Sequence, residues 1–262
     1  MLRFLASRQW VVRIVAGLVL ATAFVLLGLW QLDRNEQRQA RNAAIEEGLN
    51  QPPAAIDTVL TVDQPVTHRQ EWRAVQVVGR YDGGHQLALR LRPRGGQAGI
   101  HVLTPLVTDS GAVVLVDRGF LATSGAEVPE LPAPPSGEVD VVGRVRASEE
   151  GVGRAGDPSS GMVRYVDLDA LSAVVDGPLY GGWLELVEQD PPADESLALV
   201  PPPELESGPH LSYAMQWFAF TVIGIGGFVL LIRAEARARR EAADPPSGHV
   251  SSRDATTTAP RR

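Results

Sequence analysis

Two long apolar runs bracket this chain. The first, within residues 11–32, is hydrophobic from Val11 to Trp30 and is interrupted only by Arg13, whose long stem can carry its charge to a membrane edge. The second, residues 210–232, starts at His210 and contains no ionised side chain before Arg233. Each is long enough to cross a bilayer as a helix, so the pattern predicts two transmembrane helices. At 100° per residue, His210, Tyr213, Trp217, Phe220, Gly224 and Phe228 share one side of the second helix. Leu211, Met215, Phe218, Val222, Ile225 and Val229 share another. The aliphatic side suits lipid and the other suits a partner or a flat ligand, while Gly224 and Gly227 permit a close approach to the first span or to a partner helix.

Arg3, Arg8 and Arg13 precede the first run, as in a secretory signal. The apolar part is long, however, and passes into Trp30-Gln31-Leu32-Asp33 with no small-residue cleavage site, which predicts a retained anchor. Arg3, Arg8 and Arg13 at one end and Arg233, Arg237, Arg239 and Arg240 at the other place both termini in the cytoplasm by the positive-inside tendency. Arg34, Arg38 and Arg41 then lie on the outer side, which long translocated segments tolerate. The expected plan is a cytoplasmic start over 1–10, a transmembrane helix over 11–32, an extracytoplasmic domain over 33–209, a second transmembrane helix over 210–232 and a cytoplasmic tail over 233–262. A multi-pass protein of the cell (inner) membrane follows, its tail disordered from Glu241 onward.

The middle segment, about 175 residues, is long enough for one domain with its own core. Residues 34–49 are polar and rich in Glu, Gln, Arg and Ala, so the first helix is expected to continue outward until Pro52-Pro53 stops it. Beyond it the pattern changes to alternation and β-branched residues, predicting strands at 73–81, 86–91, 101–107, 112–120, 139–147, 162–168 and 184–188. Asp82-Gly83-Gly84 and Asp109-Ser110-Gly111 read as hairpin turns in which Gly supplies a positive φ. Residues 169–175 read as a helical turn, and 191–203, rich in Pro and acids, as an extended tether to the membrane. The expected fold class is an α+β membrane protein, two transmembrane helices flanking a β-rich extracytoplasmic domain built as a mostly antiparallel sheet or partial barrel.

Composition narrows the function by exclusion. A formal charge of −7 and the acids between Glu185 and Glu206 argue against a nucleic-acid partner, and Arg92-Pro93-Arg94-Gly95-Gly96 is only a local basic cluster. All 24 basic residues are arginine, which reflects composition bias. With no cysteine, neither disulfides nor thiolate metal ligation is available. His68, His85 and His101 lack metal-ligand spacing and read as surface or satisfied core residues, and His249 lies in the tail. A hydrolase would have to use Ser124, His101 and Asp117, yet no Gly-x-Ser-x-Gly elbow is present. A sensor would need a cytoplasmic module where only a short polar tail is expected. No enzyme is therefore expected.

Several stretches resemble the surfeit-locus assembly factors of cytochrome c oxidase. Leu27-Gly28-Leu29-Trp30-Gln31-Leu32-Asp33-Arg34 is similar to the end of that family's first span. Trp72-Arg73-Ala74-Val75 with Gly79-Arg80-Tyr81-Asp82 is similar to its first strand and turn, and Val114-Leu115-Val116-Asp117-Arg118-Gly119-Phe120 to its strand ending in Arg-Gly-aromatic. His210-Leu211-Ser212-Tyr213-Ala214-Met215-Gln216-Trp217-Phe218 is the nearest match. Phe120 stands where Trp is expected, Gly208-Pro209 where Asn is usual, and residues 147–164 match nothing in the family.

The resemblance implies an assembly factor that binds or presents haem a to the catalytic subunit of a haem-copper oxidase. Its partners would be that subunit, the haem a synthesis machinery and membrane lipid. His210 would be the axial ligand to haem iron, with Tyr213 and Trp217 beside the macrocycle and Arg34 or Arg118 on the propionates. Each residue also has a plainer reading: His210, Tyr213 and Trp217 as an interfacial aromatic belt, Arg34 as a solvated or phosphate-contacting face, and Arg118 as a structural ion pair or turn. A membrane scaffold that stabilises an oxidase intermediate without haem is the alternative function.

Overall fold

A computed structural model describes residues 3–123, 130–149, 156–205 and 208–243. The chain divides into two compact units, Met1–Gln37 with Ser207–Arg262, and Arg38–Glu206. Helix α1 runs unbroken over Arg8–Asn50, so the apolar run and its expected polar extension are one 43-residue element. No proline interrupts it, and Pro52-Pro53 follows its last turn. Helix α4, His210–Ala243, continues past the expected end at 232, its last turns carrying an Arg239–Glu235 pair at 2.8 Å. Both helices are long and apolar enough to cross a bilayer, and their apolar stretches are almost wholly exposed, unlike core helices of a soluble domain. The disorder expected from Glu241 onward is corrected for residues 241–243, which continue α4; the rest of the tail, His249 included, lies outside the described residues, as does Ser124.

The second unit is built from β1 (Ala54–Ala55), α2 (Ile56–Val59), β2 (Ala74–Tyr81), β3 (Leu87–Leu89), β4 (Gly99–Thr108), β5 (Val113–Ala122), β6 (Val139–Ala147), β7 (Gly156–Asp157), β8 (Met162–Val163), α3 (Leu168–Leu171) and β9 (Gly182–Asp190). The sheet order is β1-β2-β6-β9-β5-β4-β3-β8-β7, with a further β2–β4 pairing. That pairing closes β2, β6, β9, β5 and β4 into a ring. Strands β6, β2, β4 and β5 lie side by side in Greek-key order, and β9 completes the barrel, antiparallel to β6 and parallel to β5. The partial barrel expected from sequence is thus closed. Closure happens at Gly79, where β2 leaves its β6 partner Val139 and takes Thr108 of β4. A Cβ at Gly79 would lie 2.5 Å from the Val107 carbonyl oxygen, so the handover of partners requires glycine.

Alternation along β5 divides two cores. Val114 and Val116 join the cluster made with Val75, Val77, Val141 and Leu186, while Val113 and Leu115 join Leu87, Leu103, Leu171 and Trp183 on the opposite face. A strand buried on both faces reads as a continuous apolar run, which is why β5 is so plain in the sequence.

Three expectations are corrected. Asp82-Gly83-Gly84 is not a hairpin: Gly83–His85 forms a 3-10 turn capped by the Asp82 carboxylate, which accepts from the Gly84 N–H at 3.0 Å, and β3 pairs with β4 and β8 instead of β2. Residues 162–168 are not one strand. Only Met162–Val163 pairs, and Val166, Leu168 and Leu171 pack into the second core, with Asp167 capping α3. Nor is 191–203 a free tether. Phe120 and Ala198 exchange both backbone hydrogen bonds, Arg144 donates to the Val200 carbonyl at 2.5 Å, and Leu197 is buried. The Asp109-Ser110-Gly111 hairpin is found as expected, with Gly111 at φ +80° joining β4 to β5.

Candidate functional site

The first unit holds three of the five expected ligand-binding side chains on α4, with Arg34 on α1. His210 is the first residue of α4 and is half-buried. Its Nδ1 lies 2.9 Å from Oε1 of Gln31 on α1. An amide oxygen only accepts, so Nδ1 carries the proton and the Nε2 lone pair is left for a ligand. No hydrogen bond reaches Nε2 among the described residues. This is the arrangement in which a metal-ligating imidazole is held in one tautomer by a partner on its far nitrogen. Sequence alone places Gln31 at the end of the first span and does not reveal its partner. The available signal was a neutral amide closing an apolar run, one helical turn from Arg34.

Further along, side chains fasten the two helices. The Phe24 ring lies 5.5 Å from Trp217 and 6.0 Å from Phe220. Phe218, assigned by angle to the lipid side, instead packs on α1 where Gly28 leaves room: a Cβ there would lie 2.6 Å from its ring. Phe228 approaches Gly17 and stands edge-on to Trp10 at 6.5 Å, with the Arg13 guanidinium 5.1 Å from the indole. Of the two approaches expected at Gly224 and Gly227, the one to α1 is not found: a Cβ at either position meets nothing within 4 Å, and the crowded glycines are on α1. Tyr213 is 46% exposed and makes no ring contact among the described residues. Arg34 is exposed, donates to Gln37 at 3.1 Å and lies 5.9 Å from the Trp30 ring; no carboxylate pairs with it among the described residues.

Arg118 belongs to the other unit and is fully buried. Its Nη1 donates to Gln86 Oε1 at 2.9 Å and to the Pro132 carbonyl at 2.8 Å, and its Nη2 to the Ala133 carbonyl at 3.1 Å. Tyr81 lies 5.6 Å below the guanidinium and donates to Gln189 at 2.9 Å. Burial lowers the Arg118 pKa from its ordinary value, against the pull of Tyr81 and Asp194, and burial raises that of Tyr81, so the ring stays a neutral phenol. These bonds tie the crossover before β6 to the barrel.

Next to Arg118, Asp117 accepts from His101 Nδ1 at 2.8 Å and from the Gly119 N–H at 3.0 Å. His101 is thus a satisfied core residue, its ring 5.6 Å from Phe120. Among the described residues no group of His, Asp or Glu has the placement to hold a metal ion.

The chain matches the model of the SURF1 family over residues 18–222. It is 34% identical over 230 residues to a SURF1-like protein of Mycobacterium tuberculosis, covering 85% of this chain and 83% of that one. A SURF1-like protein of Monosiga brevicollis is 27% identical over 254 residues, covering 84% and 87%. The cytochrome oxidase assembly protein SHY1 of Saccharomyces cerevisiae is 28% identical over 119 residues, covering 44% of this chain and 30% of its own length. With a family match across most of its length, the chain belongs to the SURF1 family.

Proposed function

We propose that this protein is a non-catalytic assembly factor for a haem-copper cytochrome c oxidase, anchored by α1 and α4 with both termini in the cytoplasm, and that it binds haem a transiently at His210. The assembly role is supported by family membership and by the yeast relative SHY1, a cytochrome oxidase assembly protein. The membrane reading is supported by two exposed helices of spanning length and by their arginine flanks. The haem reading is carried by one observation, the Gln31–His210 pair, which sets the proton on Nδ1 and frees Nε2.

His210 would hold the group through Nε2, and haem a bound there would supply an iron that accepts an imidazole donor. The residues present suit such a group. Trp217, half-buried against Phe24, offers a flat apolar wall. Arg34, one turn beyond Gln31 and free of any described carboxylate, offers a guanidinium for a propionate. Its fork geometry suits a carboxylate better than a lysine would.

Two measurements test the reading. Protein purified from cells that make haem a carries an axial-imidazole signature in its visible spectrum, and His210→Ala removes that signature while helix content and membrane insertion persist. An unchanged spectrum returns His210 to the aromatic belt. Deleting the protein lowers assembled oxidase and leaves other membrane enzymes intact; a deletion strain, free of any paralogue, with normal oxidase content refutes the assembly role.

A further inference from the structure

Below the aromatic seam, α1 and α4 do not close on each other. They leave a cavity of about 410 Å³, walled by Gly17, Ala21 and Phe24 on one helix and Phe220, Gly224 and Phe228 on the other. That is the size of a small-ligand pocket. Small residues between helices ordinarily let backbones touch, but a Cβ at Gly224 would meet nothing within 4 Å. The glycine keeps a space open. Of all the lining residues only Thr221 has a polar side chain, and its hydroxyl is used on the Trp217 carbonyl at 3.1 Å. The cavity therefore has no hydrogen bond to offer, and its occupant is hydrocarbon.

The position of the cavity says which hydrocarbon. At 1.5 Å per residue it begins about 10 Å below Gln31 on α1, at Phe24, and about 15 Å below His210 on α4, at Phe220. It reaches Gly17, about 21 Å below Gln31. A ring system ligated at His210 covers the first several ångströms of that distance. An extended farnesyl chain, at about 1.3 Å per backbone carbon, covers about 15 Å more. We infer that this cavity receives the isoprenoid tail of haem a, so that His210 holds the iron and the α1–α4 groove selects the tailed haem over haem b. The inference rests on the haem reading above. It makes Gly224, Gly17 and Ala21 specificity-determining positions, remote from the iron.

The experiment titrates purified full-length protein in detergent with haem a and with haem b, which shares the porphyrin core but lacks both the tail and the formyl group, so that the cavity variants separate the tail from the formyl. Wild type favours haem a. Gly224→Leu fills the cavity from α4 and lowers haem a affinity by roughly tenfold, the equivalent of two buried methylene groups, while haem b affinity is unchanged. Ala21→Phe, filling it from α1, repeats the result. Gly226→Leu, which faces open space away from the lining, changes neither. Retained haem b binding shows that each variant is folded. A coloured wild type with no preference between the two haems overturns the tail site and points to lipid in the groove, leaving the His210 reading intact. Equal loss of both haems in Gly224→Leu and Ala21→Phe also overturns it. So does lost oxidase-subunit capture with an unchanged haem preference, which assigns the groove to a partner helix. A wild type that binds neither haem refutes the haem reading itself, and the tail site with it.

Discussion

Replacing Arg118 with leucine removes a buried cation whose described hydrogen bonds all go to neutral acceptors: Gln86 and the carbonyls of Pro132 and Ala133. Each bond to a charged donor is worth about 1.5–3 kcal/mol, so the three together represent about 4.5–9 kcal/mol of gross stabilisation. Part of this is offset, because leucine escapes the several kcal/mol that burying a guanidinium costs. Gln86 also keeps one partner, the Thr104 hydroxyl at 3.1 Å. The net loss is about 2–4 kcal/mol. At about 2–4 °C per kcal/mol for a unit of this length, the thermal midpoint falls by roughly 10 °C. Arg118→Lys falls in between, since an ammonium keeps the charge and loses the fork. Tryptophan fluorescence of purified full-length protein during heating reads the change, with Trp183 in the second core as reporter. The reasoning fails if Arg118→Leu melts with wild type while its haem content drops, for Arg118 would then be holding a ligand and not the crossover before β6.

Gln31→Leu removes the acceptor on Nδ1 and weakens haem binding by about 10–100-fold, with the axial-imidazole signature kept at saturation; equal affinity in a haem titration would show that the tautomer needs no partner. Burial first, and then the bond to Asp57, push the Tyr180 phenol up to about 12 from the ordinary 10.0. The unfolded chain releases this proton before the folded one does, so the contribution is fully present below about pH 10 and is lost as pH rises toward 12. Tyr180→Phe flattens that alkaline loss in pH-dependent unfolding, and an unchanged profile rules the assignment out. Gly119, at φ +135° with a would-be Cβ 3.0 Å from the Ala198 carbonyl, resists substitution: Gly119→Ala costs about 1–3 kcal/mol and speeds proteolytic cleavage within 191–203. Cleavage at the wild-type rate would show that the Phe120–Ala198 bridge does not restrain that segment.

The features that depend on local pattern were legible. Two long apolar runs marked both long helices, and six of the seven expected strands lie within a few residues of real ones, because period-two alternation and β-branched residues report a sheet face directly. What depended on distant partners was hidden. Nothing in Gly79 announces that β2 changes neighbours there, since the crowding comes from Val107 on another strand. Residues 162–168 alternate like a strand, but Val166 and Leu168 are apolar because they cover the second core from outside the barrel. The same limit acted on the site. Helix angles put His210 and Trp217 on one face correctly but sent Phe218 to lipid, since the cleft at Gly28 that receives its ring belongs to the other helix. For Arg118 a sequence shows a charge and not the carbonyls of Pro132 and Ala133 to which it donates.

Gln31 and His210 are 179 residues apart, one near each end of the chain. The loop between them includes the whole barrel, yet closing so long a loop costs only modestly more entropy than closing a short one. Its length matters in time. During synthesis the first partner is in place long before the second emerges, so the imidazole meets its acceptor only once both helices have been made and brought together. A chain truncated before α4, or halted after one helix, has no fixed tautomer to offer. Under the proposed function, the hold on cargo would wait for a single hydrogen bond between a helix made early and a helix made late.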